Sequence, residues 1–180
     1  MKKLIISLVM LLCITAYGQR RDLYIYNFTS SNLDFMVLTK HFVNQFPMLE
    51  SSYFTSALSS GGSVVYQNTS ITNGASLHST GSTPFISTWY LKTSAVATPV
   101  AISSTVAQTV YGSTQIWGSV KFNLPSLSCS GHAGPHNGGI LIGSCGPGSA
   151  TSVWTENNVM EIDPVTGDPT VIADILIFVE

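Results

Sequence analysis

Between turn-forming stretches the chain repeats one pattern: short runs in which apolar residues alternate with polar ones or follow each other without a break. The runs are "DLYIYNF", "DFMVLT", "GSVVYQN", "TPFISTWYLKT", "TPVAISSTV", "QIWGSVKFNL", "SVWTENNVMEID" and "TVIADILIFVE". Several are rich in Val, Ile, Tyr, Phe, Trp and Thr, and Gly, Pro, Asn and Ser separate them. A period of two sends successive side chains to opposite faces, so these runs read as β-strands. The pattern predicts an all-β chain, an antiparallel β-sandwich or jelly roll of about seven to nine strands. "LTKHFVNQF", stopped by Pro47, is the single short helix it allows.

At the C-terminus "VMEID" and "TVIADILIFVE" flank "PVTGDP", whose Pro164 and Gly167 suit a tight connection between antiparallel strands. The last run is apolar on both faces. Val171, Ala173, Ile175, Ile177 and Val179 share one, and Ile172, Leu176 and Phe178 the other with Asp174. A strand of that kind is covered on both sides and belongs inside a sheet.

The first residues break the pattern. Lys2 and Lys3 precede an unbroken apolar run from Leu4 to Ile14, and Ala16 and Gly18 stand two apart before Gln19. This is the layout of a secretory signal peptide, residues 1–18, and it predicts export to the periplasm, the cell surface or the medium. Residues 19–180 are then one β-sandwich domain, and no later run has the length of a transmembrane segment.

Charge narrows the partners. Charged residues make up 9% of the chain, against roughly 25% in an ordinary soluble domain, and Ser and Thr fill about a quarter of residues 19–180. The formal charge of −2 becomes −4 without Lys2 and Lys3, which argues against nucleic acid as a partner. The remaining basic residues, Arg20, Arg21, Lys40, Lys92 and Lys121, are scattered in sequence and predict no basic patch.

Candidate chemistry is sparse. No Asp or Glu occurs between Ser51 and Thr155, which leaves few carboxylates for a glycosidase pair. The nucleophile elbow, the HExxH zinc motif, the P-loop and the dinucleotide fingerprint are all missing. The densest local chemistry is "SCSGHAGPHNGGILIGSC". In an exported chain Cys129 and Cys145 are expected to form a disulfide that closes this loop. His132 and His136 are four apart, but the surrounding Gly and Pro oppose a helix, so a divalent metal would need a third ligand such as His78. No cofactor is otherwise expected.

Tryptophans offer the better binding signal. Strict alternation through "QIWGSVKFN" puts Trp117 on the polar face with Ser119 and Lys121, and Trp154 alternates with Ser152 and Glu156. Flat rings among hydrogen-bonding neighbours suit stacking on a sugar. Trp89, beside Phe85 and Leu91, reads as core. Together these features point to a secreted, non-enzymatic, adhesin- or lectin-like module that binds a carbohydrate or cell-surface ligand through Trp117 and Trp154. Three other readings compete: a self-assembling matrix protein forming homo-oligomers, a membrane-active sandwich, and a metal-dependent enzyme built on His132 and His136.

Overall fold

A computed structural model describes residues 20–67, 74–134, 140–142, 150–162 and 169–179, with the backbone alone for Arg20 and, Ser152 excepted, beyond residue 134. Among the described residues two sheets hold thirteen strands. In chain order these are β1 (Arg20–Asn27), β2 (Leu33–His41), β3 (Met48–Ser51), β4 (Phe54–Leu58), β5 (Ser63–Tyr66), β6 (Gly74–Ala75), β7 (Thr88–Lys92), β8 (Val100–Ser103), β9 (Gln115–Leu124), β10 (Cys129–Ala133), β11 (Ile140–Ile142), β12 (Ala150–Ile162) and β13 (Pro169–Val179). An α-helix, α1 (Ser104–Tyr111), follows β8.

The first sheet runs β11-β12-β13-β1-β5, with β6 beside the start of β1. The second runs β10-β9-β2-β3-β7-β8, with β4 beside the start of β2. All eight apolar runs contain a strand, so the two-layer all-β architecture follows the sequence pattern. The added strands are short ones, such as four-residue β3 and two-residue β6, in which a period of two barely repeats. Pairing is antiparallel except at β1, which lies parallel to both β13 and β6. As its two apolar faces predict, β13 is interior, hydrogen-bonded between β12 and β1.

The predicted helix is not where the sequence pattern put it. Leu38–His41 continue β2, whose Phe35, Val37 and Thr39 are buried, and residues 42–47 form the loop of the β2–β3 hairpin. The helix lies instead in a stretch read as strand. Ser103 caps it by accepting from Val106 N–H, and Ser104 and Ala107 form its buried stripe, three residues apart. The β-branched residues of that stretch hid the helical spacing.

The core between the sheets is built on inward residues of the paired strands. Leu23 and Ile25 of β1 face Phe35 and Val37 of β2, Leu49, Val120 and Phe122, all essentially buried. The opposite face of β1 carries Tyr24 and Tyr26, whose rings stack with centroids 6.4 Å apart, and Tyr26 stacks in turn on Phe28 at 5.9 Å. At the centre of the core Trp117 lies between Tyr66 and Trp89, with centroids 6.2 and 6.5 Å away. Indole N–H groups buried without acceptors are costly, and both are satisfied: Trp117 donates to Arg21 O at 3.0 Å and Trp89 to Leu77 O at 2.9 Å. The Trp117 bond ties the second sheet to β1 of the first.

Two backbone positions set this packing. Gly74, at φ +78°, has room for no side chain, because a Cβ there would meet Gly112 O at 1.9 Å. In β9, Leu38 pairs with Ser119 but Thr39 pairs with Trp117, so Gly118 is an extra residue and the strand is bulged.

Tyr66 gives the fold a defined alkaline limit. Its hydroxyl donates to Pro84 O at 3.1 Å, and burial pushes its phenol well above the usual tyrosine range. A raised folded-state value means the neutral phenol stabilises the fold evenly below the unfolded value of about 10, and that contribution is lost as pH climbs above it. Denaturation midpoints should stay flat through neutral pH and fall above about pH 10. Tyr66→Phe should lessen that fall while costing about 1 kcal/mol at neutral pH for the lost hydrogen bond. Equal alkaline losses in the two proteins would assign the decline to another group.

Candidate functional site

The bulge at Gly118 inverts the expected role of Trp117. Across it the strand changes parity: Gln115 and Trp117 point inward before it, and Val120, Phe122 and Leu124 after it. Trp117 is therefore core, 2% exposed, and is not a surface platform. Strict alternation missed this because an inserted residue shifts every later side chain to the other face. Trp154 lies in β12 opposite Ile175, with its side chain outside the described residues. Trp89 is core as expected, although Phe85 is partly exposed.

The histidine site is not assembled among the described residues, which include no group of three metal-ligating side chains. His132 is exposed in β10 opposite Lys121. The suggested third ligand, His78, belongs elsewhere. Its Nδ1 is 2.7 Å from Ser104 Oγ, its ring meets Phe85 edge-on, and the N–H groups of Leu77 and His78 donate to Gln108 Oε1 at 2.7 and 3.3 Å. These contacts fix His78 to the start of α1, which follows β8. In the sheet, β9, β2, β3 and β7 lie between β8 and His132 on β10. His136 and Cys145 lie outside the described residues, while Cys129 is fully buried at the start of β10.

The triplet Asn27-Phe28-Thr29 has the form of an N-glycosylation acceptor, but its side chains have a structural role. The Asn27 amide is wholly buried and donates to Ser31 O, Leu58 O and Ser59 O at 2.7, 3.0 and 3.0 Å. Its Oδ1 accepts from Thr29 N–H at 3.0 Å and from the Thr29 hydroxyl at 2.6 Å. With every amide valence engaged, the folded protein offers no nitrogen for sugar attachment there.

Among the described residues, a cleft of about 580 Å³ opens at the base of the β2–β3 hairpin. Its floor is the bulged part of the second sheet, Leu38 to Lys40 with Gly118 and Ser119, and its wall is the loop from His41 to Gln45 with Met48. The bulge thus seats Trp117 on one side of the sheet and shapes the cleft on the other. Gln115, fully buried, holds the loop by donating to Pro47 O at 3.1 Å while accepting from the Thr39 hydroxyl at 2.8 Å. Phe42 N–H donates to Thr114 O at 3.0 Å. His41 Nδ1 accepts from the N–H groups of Val43 and Asn44 at 3.2 and 3.3 Å, which leaves its proton on Nε2. The His41 and Phe42 rings stack nearly parallel at 4.8 Å, and Phe42 and Val43 are 39% and 69% exposed.

The loop is therefore pre-set and presents an aromatic plate beside two amide side chains, Asn44 and Gln45. The lining includes one ammonium, Lys40, and one imidazole, His41, but no carboxylate. Such a surface can stack and can donate and accept hydrogen bonds. The sequence did carry a signal, the exposed large residues of "HFVNQF" bounded by Pro47, but reading it as a helix hid the loop.

Register also gathers residues that look scattered in sequence. Residues paired across strands share a face. On the outer face of the second sheet Lys40 pairs with Met48 and Met48 with Lys92, while Lys121 lies opposite Met36 on one side and His132 on the other. All three lysines beyond Lys3 occupy this face. Glu50, facing Leu38, forms an ion pair with Lys92 at 3.5 Å.

No protein-family model, curated protein or solved structure matches this chain.

The inverted role of Trp117 is directly testable. Trp117→Ala should reduce unfolding free energy by about 3–5 kcal/mol in chemical denaturation, as expected for a core tryptophan. Trp117→Phe keeps most of the ring contact but removes the donor to Arg21 O, at about 1–3 kcal/mol. Unchanged stability in both variants would return Trp117 to the surface.

Proposed function

We propose that this chain is a secreted, non-enzymatic binding module, adhesin- or lectin-like, whose glycan ligand occupies the cleft of the β2–β3 hairpin. The observation that carries the reading is a pre-set cleft of ligand-accommodating size, about 580 Å³, with a partly exposed aromatic ring flanked by amides. Sugars present an apolar C–H face and a rim of hydroxyls. A stacked Phe42 meets the first, and Asn44 and Gln45 supply paired donors and acceptors for the second. With no carboxylate in the lining, the acid step of glycoside hydrolysis has no donor at this site, which favours binding over turnover. Export as a secreted protein rests on the lysine-led apolar leader, residues 1–18.

Glycan-array screening followed by calorimetry on the best ligand tests the reading. Phe42→Ala should weaken binding about tenfold or more, since a desolvated aromatic contact contributes about 1–2 kcal/mol, without lowering the melting temperature much. Wild-type affinity in Phe42→Ala and in Asn44→Ala would remove the cleft from consideration.

A second reading, self-assembly, is favoured by one edge of the second sheet. There β8 pairs with β7, Val100 is 59% exposed, and no charged residue occurs between Lys92 and Lys121. Uncharged edges are templates for pairing with another chain. If the edge is used, light scattering should detect oligomers that Ala101→Lys, an exposed edge substitution, converts to monomer. A monomeric wild type at high concentration would end this reading.

A further inference from the structure

We infer that β8 pairs with β8 of a second copy of this chain, antiparallel and centred on Ala101, joining two second sheets edge to edge in a two-fold dimer. The inference rests on the self-assembly reading of this edge and fixes its partner and register. β8 ends the second sheet, hydrogen-bonded to β7 on one side. Ser104 N–H donates to Ser87 O at 2.9 Å, and these two residues continue the register in which Ser103 faces Thr88 and Ala101 faces Tyr90. Hydrogen-bonded and non-hydrogen-bonded pairs alternate along an antiparallel ladder. Val100 and Ile102 therefore exchange bonds with β7, while Ala101 and Ser103 turn their N–H and C=O groups to the open side. Pro99 continues the alternation, with its carbonyl on that side. The edge is uncovered, since Pro99, Ala101 and Ser103 are exposed and Val100 is 59% exposed.

This edge is complementary to itself. Paired about Ala101, the two Ala101 residues exchange both of their hydrogen bonds, and Ser103 N–H of each copy donates to Pro99 O of the other. Pro99 has no N–H. The acceptor opposite it, Ser103 O, belongs to the N-cap of α1, where the carbonyl already accepts the first bond of the helix. The missing donor of one copy thus meets the engaged acceptor of the other, and no main-chain group is stranded. The neighbouring in-phase registers set Ala101 opposite Pro99 or Ser103 and strand its C=O or its N–H, which is costly once water is excluded. Side chains fit the same register. Val100 and Ile102 lie on the inner face, paired with Leu91 and with buried Trp89, so Val100 of each copy comes opposite Ile102 of the other. The two alanines adjoin on the outer face without crowding. Charge is compatible as well: a two-fold axis sets like against like, and between Lys92 and Lys121 the chain carries no charged residue. Because one edge serves both copies, the contact closes at two.

Cross-linking reads the register. In the paired edge the Cα atoms of the two Ala101 residues lie about 5.5 Å apart, within disulfide range, whereas the two Thr98 residues, three positions from the axis on opposite sides, lie about 20 Å apart. Under mild oxidation the full-length Ala101→Cys protein should form a reducible dimer, and Thr98→Cys should cross-link no more than the wild type. Ala101→Lys and Ala101→Glu should each weaken self-association about threefold or more, because like charges then stand directly opposite. Mixing those two variants should recover the wild-type dimer fraction in light scattering, and both should melt with the wild type. A dimer in which Thr98→Cys cross-links as well as Ala101→Cys, or a mixture that associates no better than either charged variant, would overturn the inference and leave the self-assembly reading standing. Oligomers that keep growing beyond two with concentration would do the same. A wild type that stays monomeric at high concentration would overturn both.

Discussion

The seating of one indole organises the molecule. Trp117 fills the space between the sheets, contacts Tyr66 from the first sheet and Trp89 from the second, and donates its N–H to a backbone carbonyl of β1. A ring of this size can lie there only because β9 carries an extra residue. Without the bulge at Gly118, alternation from Val120 and Phe122 would turn Trp117 outward and leave the centre of the sandwich empty. A void of that size is among the costliest core defects. The same inserted residue distorts the outer surface of the sheet opposite Leu38 and Thr39, where the cleft opens. Core and candidate site are two faces of a single backbone irregularity.

In a chain with so few charges, buried amides and hydroxyls do the anchoring. Asn27 gathers the turns after β1 and β4, Gln108 holds the 77–78 loop against α1, and Gln115 ties the hairpin loop to the start of β9. Each is a neutral side chain that donates to or accepts from main-chain groups of a distant segment. Neutral amides avoid the several kcal/mol of desolvation that a buried ion would cost, and removing one would strand several backbone groups at once. They also impose geometry, since an amide has fixed donor and acceptor directions. That geometry is what allows the cleft loop to hold its shape before any ligand arrives.

How much of this was legible in the sequence depended on whether a feature was periodic. Eight apolar runs became strands, and the doubly apolar last run became an interior strand, because burial on one or both faces leaves a regular trace over six or more residues. The four residues of β3 and the two of β6, with no longer apolar run around them, leave none. The helix was obscured because Val and Thr at helical spacing resemble a strand until the Ser103 cap is weighed. Trp117 was misjudged for a different reason: a bulge is specified by contacts with the neighbouring strand, Leu38 and Thr39, which are distant in sequence from Gly118. The cleft depends on the same non-local pairing. The lysine face is likewise a product of register, since Lys40, Lys92 and Lys121 belong to three strands that no local pattern aligns.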